Sequence, residues 1–364
     1  MKNLSSLLLL MMCVAFASCT SCYKLTVHFP NHDFDGKRAY LTNYDTGDTI
    51  DSVTVLEKQL VLDGSVDTAY FARLLVEGNR LDFVVEEGDI DVEWGADLKI
   101  SGTPLNEKFN GIVKQLDRYE QQWQDIALAR QRNEITDAQA QQREDSRKGD
   151  LLNCLYNIFL ANKDNALGQW AFTQYVVEGD FSPSQLALVM KKVPKQYLKL
   201  RRVERAASNA AAREVTSEGK RYVDFSIRTL EGNAERLSQH AGDGLSFTLV
   251  YFWASWCSSC QKEISSALTY LYDTYNDSGL LKIIGVAVWD ESAAAQKAVE
   301  ELAIPWHVMV AGHRTDEPAN LYGIAGIPYA VVIAPDGTIA LRGLNGDALI
   351  EAVEGLMAGY YVAK

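Results

Sequence analysis

The sequence has few cysteines, no excess of positive charge and, beyond its first 20 residues, no long hydrophobic run. Six cysteines among 364 residues are too few for a small scaffold held together by disulfides. A net charge of −13 argues against binding to DNA or RNA, which depends on a basic protein surface. No later stretch reaches the ~18 apolar residues that a membrane-spanning helix needs. With 47% hydrophobic and 23% charged residues, the composition is that of a globular protein of two or three domains.

The N-terminus has the layout of a secretory signal peptide. Lys2 precedes an apolar run over residues 4–16, and small residues then lead to Cys19. The apolar run is too short to span a bilayer comfortably. We therefore predict that residues 1–18 are a signal peptide and that the mature protein lies outside the cytoplasm, where disulfides persist.

Residues 16–19, Phe-Ala-Ser-Cys, resemble a bacterial lipobox, in which the cysteine is lipidated and becomes the mature N-terminus. The resemblance implies a lipid anchor on Cys19 and a membrane lipoprotein of the cell envelope that faces the periplasm. Two alternatives remain open, namely lipidation at Cys22 and ordinary cleavage after the Ala-Phe-Ala of residues 15–17.

Residues 19–103 are predicted to form a β-rich N-terminal module. Short apolar runs with partial alternation, such as residues 24–29 and 70–76, are separated by turn residues such as Asp63-Gly64. Several short strands at this spacing favour an antiparallel sandwich or a small barrel.

Residues 104–215 are predicted to form an α-helical region. Apolar residues recur at helical spacing from Pro104 onward, and Cys154 falls within such a stripe, where we interpret it as a small buried hydrophobic residue. Ser182 has the position of an N-cap. The basic residues between 191 and 205 are interpreted as a solvated helix face, with contact to anionic lipid or to an acidic domain as the alternative.

Residues 216–364 are predicted to form an α/β domain with a central sheet. Apolar runs typical of strands, such as residues 247–253 and 281–289, alternate with segments of helical periodicity, such as 260–275 and 346–357. Alternation of strands and helices is typical of an α/β layer structure.

Two cysteines stand at the first strand-to-helix junction of this domain. Cys257 and Cys260 are three residues apart, so they lie on one face of the first helical turn. The free N–H groups and the dipole at a helix start stabilise a thiolate, so the pKa of Cys257 should lie below that of a free cysteine. In the expected cycle, Cys257 attacks a substrate disulfide and Cys260 then releases the reduced substrate.

Other uses of this pair are a zinc site or an inert structural disulfide. A zinc site would need further ligands, and Cys22, Cys154 and the histidines at 240, 307 and 313 are scattered along the sequence. A Cys-x-x-Cys clasp at a strand–helix turn is more typical of redox motifs than of structural disulfides. We therefore predict a redox pair with no metal and no cofactor.

Residues 252–260, Phe-Trp-Ala-Ser-Trp-Cys-Ser-Ser-Cys, closely resemble the thioredoxin active site. Together with Ile327-Pro328-Tyr329 and Gly-Val-Ala-Val-Trp-Asp at 285–290, they resemble the TlpA/ResA branch of extracytoplasmic thiol–disulfide oxidoreductases. The resemblance implies a thioredoxin fold with Cys257 as nucleophile, Cys260 as resolving thiol and a cis-proline opposite the pair. Trp256, Ile327 and Pro328 are then expected to contact the substrate.

The same resemblance gives Glu263 a role in handling protons near the cysteines. A semi-buried glutamate one turn from Cys260 can accept its proton, although a glutamate early in a helix can also simply complement the helix dipole. The chain departs from thioredoxin at Tyr251, which replaces a buried aspartate, and at Tyr329, which replaces a threonine commonly found after the cis-proline.

The β-rich segment also resembles a known module. Residues 51–53, 84–89 and 100–106 are similar to the N-terminal β module often found ahead of a thioredoxin domain in secreted lipoproteins. That module carries no established chemistry.

The function implied is an extracytoplasmic enzyme that reduces protein disulfides in the periplasm, either generally or in a cytochrome-maturation-like role. Its partners would be protein disulfide or dithiol substrates, a membrane thiol carrier as electron source, and the membrane through the lipid anchor. One alternative is a peroxidase of the AhpC/TSA type, but peroxiredoxins carry Thr or Ser three residues before the reactive cysteine, where this chain has Ala254. Another alternative is a non-catalytic surface binding or scaffold lipoprotein.

Overall fold

The computed structural model describes residues 21–95, 98–132, 134–312 and 317–363, and these fall into two compact units divided between Gly179 and Asp180. The predicted signal peptide and the predicted lipidation site at Cys19 lie outside the described residues. Within the described ranges, no helix combines the length and the apolarity needed to cross a membrane.

The first unit begins with two four-stranded β-sheets. Their strand orders are β4-β1-β7-β8 and β3-β2-β5-β6, and the strand pairs are antiparallel except for the parallel pair β1–β7. In β1, Tyr23, Leu25 and Val27 are buried, because alternate side chains of a strand face the same side. The strands are β1 (Cys22–His28), β2 (Arg38–Asn43), β3 (Thr49–Thr54), β4 (Gln59–Ser65), β5 (Tyr70–Val76), β6 (Asn79–Val85), β7 (Gly88–Glu93) and β8 (Lys99–Ser101).

Three helices complete the first unit: α1 (Pro104–Gln131), α2 (Asp137–Asn162) and α3 (Ala166–Gly179). The start of α1 is tied to the β-strands by Asn106, whose buried side-chain amide exchanges two hydrogen bonds with the backbone of Val84. Phe71 of β5, Phe109 of α1 and Trp170 of α3 form one aromatic cluster. The β-rich and helical segments therefore share a core in this unit.

The second unit contains the predicted α/β domain together with two preceding helices. A seven-stranded sheet has the order β10-β9-β13-β12-β11-β14-β15. Its elements, with the preceding helices first, are α4 (Pro183–Met190), α5 (Arg201–Val215), β9 (Ser226–Thr229), β10 (Ala234–Arg236), β11 (Phe247–Trp253), α6 (Ser258–Glu263), α7 (Thr269–Tyr275), β12 (Leu281–Val288), α8 (Ser292–Glu301), β13 (His307–Gly312), α9 (Glu317–Leu321), β14 (Tyr329–Ile333), β15 (Ile339–Arg342) and α10 (Gly346–Ala363).

The central strand β11 separates two hydrophobic cores. Its odd-numbered residues, including Tyr251 and Trp253, pack in the same core as the two cysteines. Its even-numbered residues, including Val250 and Phe252, pack on the opposite face of the sheet. Both faces are covered, which explains why this strand reads as a continuous apolar run rather than as an alternating one.

The structure divides the predicted helical region of residues 104–215. Its first three helices belong to the first unit, whereas α4 and α5 belong to the unit that contains the sheet. The guanidinium group of Arg342 on β15 donates to the carbonyl oxygens of Arg213 and Thr216, at the end of α5. The expected boundary near residue 216 differs from this division because these contacts join residues more than 120 positions apart, which no local pattern reveals.

Two local features also differ from the sequence analysis. The basic residues between 191 and 205, interpreted as one helix face, do not lie on one helix, because the extended backbone of Leu200 (ψ 125°) separates a 3₁₀ turn from α5. The short strands β9 and β10 have no strong apolar alternation in the sequence, and they form only by pairing with each other and with β13.

Candidate functional site

The cysteine pair lies where the central strand of the second unit meets a helix. Three residues connect the buried strand β11 to Cys257, which is the N-cap of α6. Its Sγ accepts the backbone N–H of Cys260 at 3.1 Å, the bond that a serine or aspartate oxygen commonly makes at an N-cap. Because this donor and the helix dipole both favour a negative sulfur, the site stabilises the Cys257 thiolate in the reduced state.

The two cysteines differ in accessibility. They are joined by a disulfide, with Cα atoms 5.2 Å apart. Cys257 is 5% exposed and Cys260 is fully buried. An incoming disulfide can therefore reach the Cys257 sulfur first, which favours Cys257 as the attacking group and Cys260 as the resolving one.

A buried aspartate holds the loop that precedes the cysteines. The Asp290 carboxylate, 2% exposed, accepts hydrogen bonds from both the backbone N–H and the hydroxyl of Ser255. Gln261 donates to the Ser255 carbonyl from the other side. The loop is therefore fixed on two sides just ahead of Cys257. The sequence analysis did not identify Ser255, Gln261 or Asp290 as site residues. The contact between Ser255 and Asp290 depends on the pairing of β11 with β12, which no local pattern reveals.

Glu263 is the last residue of α6 and lies about one helical turn after Cys260. Its Oε1 accepts the backbone N–H of Gly346 at 2.8 Å, so its carboxylate meets the N-terminus of α10 rather than that of its own helix. The Tyr251 hydroxyl lies 3.2 Å from Oε2 of Glu263 and 3.3 Å from the Cys260 carbonyl oxygen. This hydroxyl thus joins the glutamate to the backbone of the resolving cysteine.

Both members of this acidic pair favour their protonated forms. Burial raises the pKa of Glu263, against the opposing hydrogen bonds from Gly346 and Tyr251. Burial, together with the neighbouring Glu263 carboxyl, raises the pKa of Tyr251. Glu263 therefore keeps its proton to a higher pH than a free glutamate does, one helical turn from Cys260. Its role in proton handling remains a prediction.

The predicted substrate-binding residues lie on two loops near the end of β11. The Ile327–Pro328 peptide bond is cis and leads directly into β14, where Tyr329 pairs with Phe252 of β11. Trp256 is 61% exposed beside Cys257, and its indole N–H donates to the carbonyl of Trp289. Both loops thus flank the strand from which the cysteines emerge. Tyr329, the departure from the family pattern, accepts a hydrogen bond from Arg342 on β15.

Two family models match separate parts of the chain. Residues 219–342 match the AhpC/TSA family, and residues 23–109 match a domain of unknown function named DUF4369. The first match spans the cysteine pair, and the second extends from the β-rich segment into α1.

The chain is also similar to named proteins. It is 27% identical to the thiol-disulfide oxidoreductase ResA of Geobacillus thermodenitrificans over 121 residues, which are 33% of this chain and 66% of that protein. It is 30% identical to the thiol:disulfide interchange protein HelX of Rhodobacter capsulatus, over 30% of this chain and 61% of that protein. Both matches thus span less than two thirds of the relative's length.

Among solved structures, the thioredoxin domain of a thiol-disulfide oxidoreductase from Bacteroides vulgatus is 28% identical. That likeness covers 38% of this chain and 97% of that one, with a TM-score of 0.35. The matches to the AhpC/TSA family and to ResA confirm the predicted resemblance of the C-terminal domain to thiol–disulfide oxidoreductases of the ResA type. They also confirm its predicted thioredoxin-like fold. The β-rich and helical regions ahead of that domain are also confirmed.

Proposed function

We propose that this protein, whose C-terminal part is a thioredoxin-fold domain related to ResA and HelX, reduces protein disulfides outside the cytoplasm through Cys257 and Cys260. The observation that carries the proposal is the position of Cys257. Its sulfur sits at a helix N-terminus, accepts the N–H of Cys260, and is bonded to a fully buried partner sulfur. This arrangement combines an ionisable attacking sulfur with a protected resolving one.

The reaction begins from the dithiol form of the protein. The Cys257 thiolate attacks one sulfur of the substrate disulfide, forms a mixed disulfide and expels the other substrate sulfur, which takes up a proton. Cys260 then loses its proton and attacks the Cys257 sulfur, which releases the second substrate thiol and leaves the disulfide seen in the structure. The two electrons that restore the dithiol come from a membrane thiol carrier, whose own dithiol becomes a disulfide.

The location and the reductive direction rest on separate grounds. The signal-peptide pattern and the lipobox-like residues before Cys19 support a lipoprotein anchored in the membrane and facing the periplasm. The reductive direction rests on the resemblance to the ResA branch. The matched relatives carry the names thiol-disulfide oxidoreductase and thiol:disulfide interchange protein.

A trapping experiment tests the proposal directly. In Cys260→Ala, the mixed disulfide on Cys257 cannot be resolved, so we expect substrate proteins to remain attached to Cys257. They should be visible as higher bands on non-reducing gels of membrane extracts and should disappear on reduction. The Cys257→Ala, Cys260→Ala double variant is the matched control and should trap nothing. Equal bands in both variants would contradict the proposal.

A comparison of two activities, disulfide reduction and peroxide consumption, distinguishes the proposed reductase from a peroxidase. The AhpC/TSA family match covers the cysteine pair, but the residue three positions before Cys257 is the fully buried Ala254, which has no hydroxyl to offer a peroxide. We expect the reduced protein to reduce insulin disulfides at least ~100-fold faster than it consumes hydrogen peroxide. The reverse ratio would favour a peroxidase.

Glu263→Gln is expected to remove a pH dependence of stability. Because burial raises the pKa of Glu263 above its ordinary value of 4.5, the folded protein keeps a proton that the unfolded chain releases. This stabilising contribution is complete below pH 4.5 and is lost as the pH rises through the raised folded-state pKa. Over that window the free energy of unfolding of the wild type should fall relative to that of Glu263→Gln.

Urea unfolding of the disulfide form at a series of pH values measures this difference. Glu351→Gln, which changes an exposed glutamate on α10, is the control and should keep the wild-type slope. Parallel curves for the wild type and Glu263→Gln would show that Glu263 does not hold a proton in the folded state.

A further inference from the structure

Three potential metal ligands that are distant in the sequence meet on one face of the seven-stranded sheet. They are Glu235 on β10, His240 just after the following 3₁₀ turn, and His307 at the start of β13. Oε2 of Glu235 lies 2.6 Å from Nε2 of His307, and Oε1 lies 3.0 Å from Nε2 of His240. The tertiary structure thus brings together two of the histidines that are scattered in the sequence, whereas His313 lies outside the described residues.

The backbone around these ligands is well anchored. β10 pairs with β9, and β9 pairs with β13, so Glu235 and His307 are set by sheet hydrogen bonds. The carbonyl oxygen of His240 accepts a hydrogen bond from Thr248 of β11, and Leu237 of the 3₁₀ turn is fully buried. The imidazole rings of His240 and His307 stack with centroids 4.9 Å apart. The backbone positions of the three residues are therefore fixed by the fold, and their side chains point to a common place.

One ligand atom in this group is buried without a hydrogen bond. Nε2 of His240 has no hydrogen-bond partner within the described part of the chain, because its close approach to Glu235 lacks the required geometry. A buried ring nitrogen that faces a carboxylate without a well-formed hydrogen bond calls for an explanation. A metal ion placed between the nitrogen and the carboxylate would satisfy both groups at once.

The chemistry of the group suits a transition-metal ion. Two imidazole nitrogens and one carboxylate form a known zinc ligand set that leaves the fourth position open to water.

The spacing of the ligand atoms also fits such an ion. All three lie within 4.8 Å of one another. In a tetrahedral zinc site, ligand atoms at ~2.1 Å from the metal are about 3.4 Å apart. The nitrogen–oxygen distances of 2.6 and 3.0 Å need to open by less than about 1 Å to reach that geometry.

We propose that Glu235, His240 and His307 form a binding site for a divalent transition-metal ion such as Zn²⁺, with water in the remaining position. The ion ties the β9–β10 hairpin to β13. The site lies away from the cysteines: His240 is bonded to Thr248 near the N-terminal end of β11, whereas Cys257 follows its C-terminal end. The metal site is independent of the proposed redox function.

Zinc titration of the purified protein in its disulfide form tests the site. With Cys257 and Cys260 oxidised, neither can bind the metal. We expect Zn²⁺ to bind the wild type and to raise its melting temperature, and we expect His240→Asn and His307→Ala to weaken binding at least tenfold. Mg²⁺ and Ca²⁺, which prefer oxygen ligands, should produce no shift.

His28→Ala is the matched control. It changes a histidine in another group that could hold a cation, with Asp91 and Glu93, whose members are more exposed. This variant should bind Zn²⁺ like the wild type. Loss of binding in His28→Ala with normal binding in His307→Ala would place the ion in the first unit and overturn the proposal.

Cobalt binding to the wild type tests the site without any variant, so a misfolded variant cannot affect the result. Co²⁺ in the wild type should give a visible absorption band from a nitrogen–oxygen site, without the near-ultraviolet band of a thiolate ligand. A thiolate band would place the ion on a cysteine outside the disulfide, such as Cys22. Either a thiolate band or the absence of any Co²⁺ and Zn²⁺ binding by the wild type would contradict the site.

Discussion

Cys257→Ser is expected to abolish disulfide reduction, lowering kcat/KM for insulin disulfides by at least ~1,000-fold. Serine at this N-cap can accept the same backbone N–H of residue 260, so the fold around α6 should be kept. What is lost is the sulfur itself, because a serine hydroxyl neither ionises near neutral pH nor forms a mixed disulfide. The loss should therefore appear in activity, whereas the melting temperature should match that of the reduced wild type, which also lacks the disulfide.

Cys22→Ser provides a matched control for this variant. It removes the same thiol from an exposed position in the first unit and should leave insulin reduction unchanged. If Cys257→Ser kept a tenth or more of the wild-type rate, Cys257 would not be the nucleophile. If it left the cellular role intact while deletion of residues 23–215 abolished that role, the scaffold alternative would be favoured over an enzyme.

Arg342→Met is expected to lower the free energy of unfolding of the second unit by about 2–4 kcal/mol. The half-buried guanidinium donates to the carbonyl oxygens of Arg213, Thr216 and Tyr322 and to the hydroxyl of Tyr329. Two of these oxygens belong to the C-terminal end of α5, where carbonyl groups have no partner within the helix. Methionine fills much of the same volume but leaves these acceptors unpaired.

Urea unfolding of the wild type and the variant measures this change, and hydrogen exchange should show faster opening of α5. Arg228→Met is the control, since Arg228 is exposed and makes one bond to the Gly232 carbonyl, and it should change stability by less than about 0.5 kcal/mol. Equal stability of Arg342→Met and the wild type would show that α5 is not held to the sheet by this residue.

Several elements of the second unit were predictable because their signals are local. The predicted strand over residues 247–253 coincides with β11. Ser182 caps α4 with its side chain, and Pro183 occupies the first turn. The cysteine pair was identifiable because two cysteines three residues apart at a strand–helix junction share one helical face.

The supporting side chains of the site were not predictable from such signals. Asp290 binds Ser255 from 35 positions away, and Glu263 binds Gly346 from 83 positions away. A buried carboxylate has the same letter in the sequence as an exposed one. Only the pairing of strands and the packing of α10 decide which carboxylates are desolvated and which donors they meet.

The amino-acid sequence by itself determined the redox motif, the α/β character of the C-terminal domain and most of its longer elements. Periodicity, capping residues and cysteine spacing act over a few residues, so they can be read along the chain. The tertiary structure alone decided that α4 and α5 belong with the sheet, that Tyr251 joins Glu263 to Cys260, and that His240 meets His307. These contacts depend on the free energy of packing between distant segments, which no local pattern encodes.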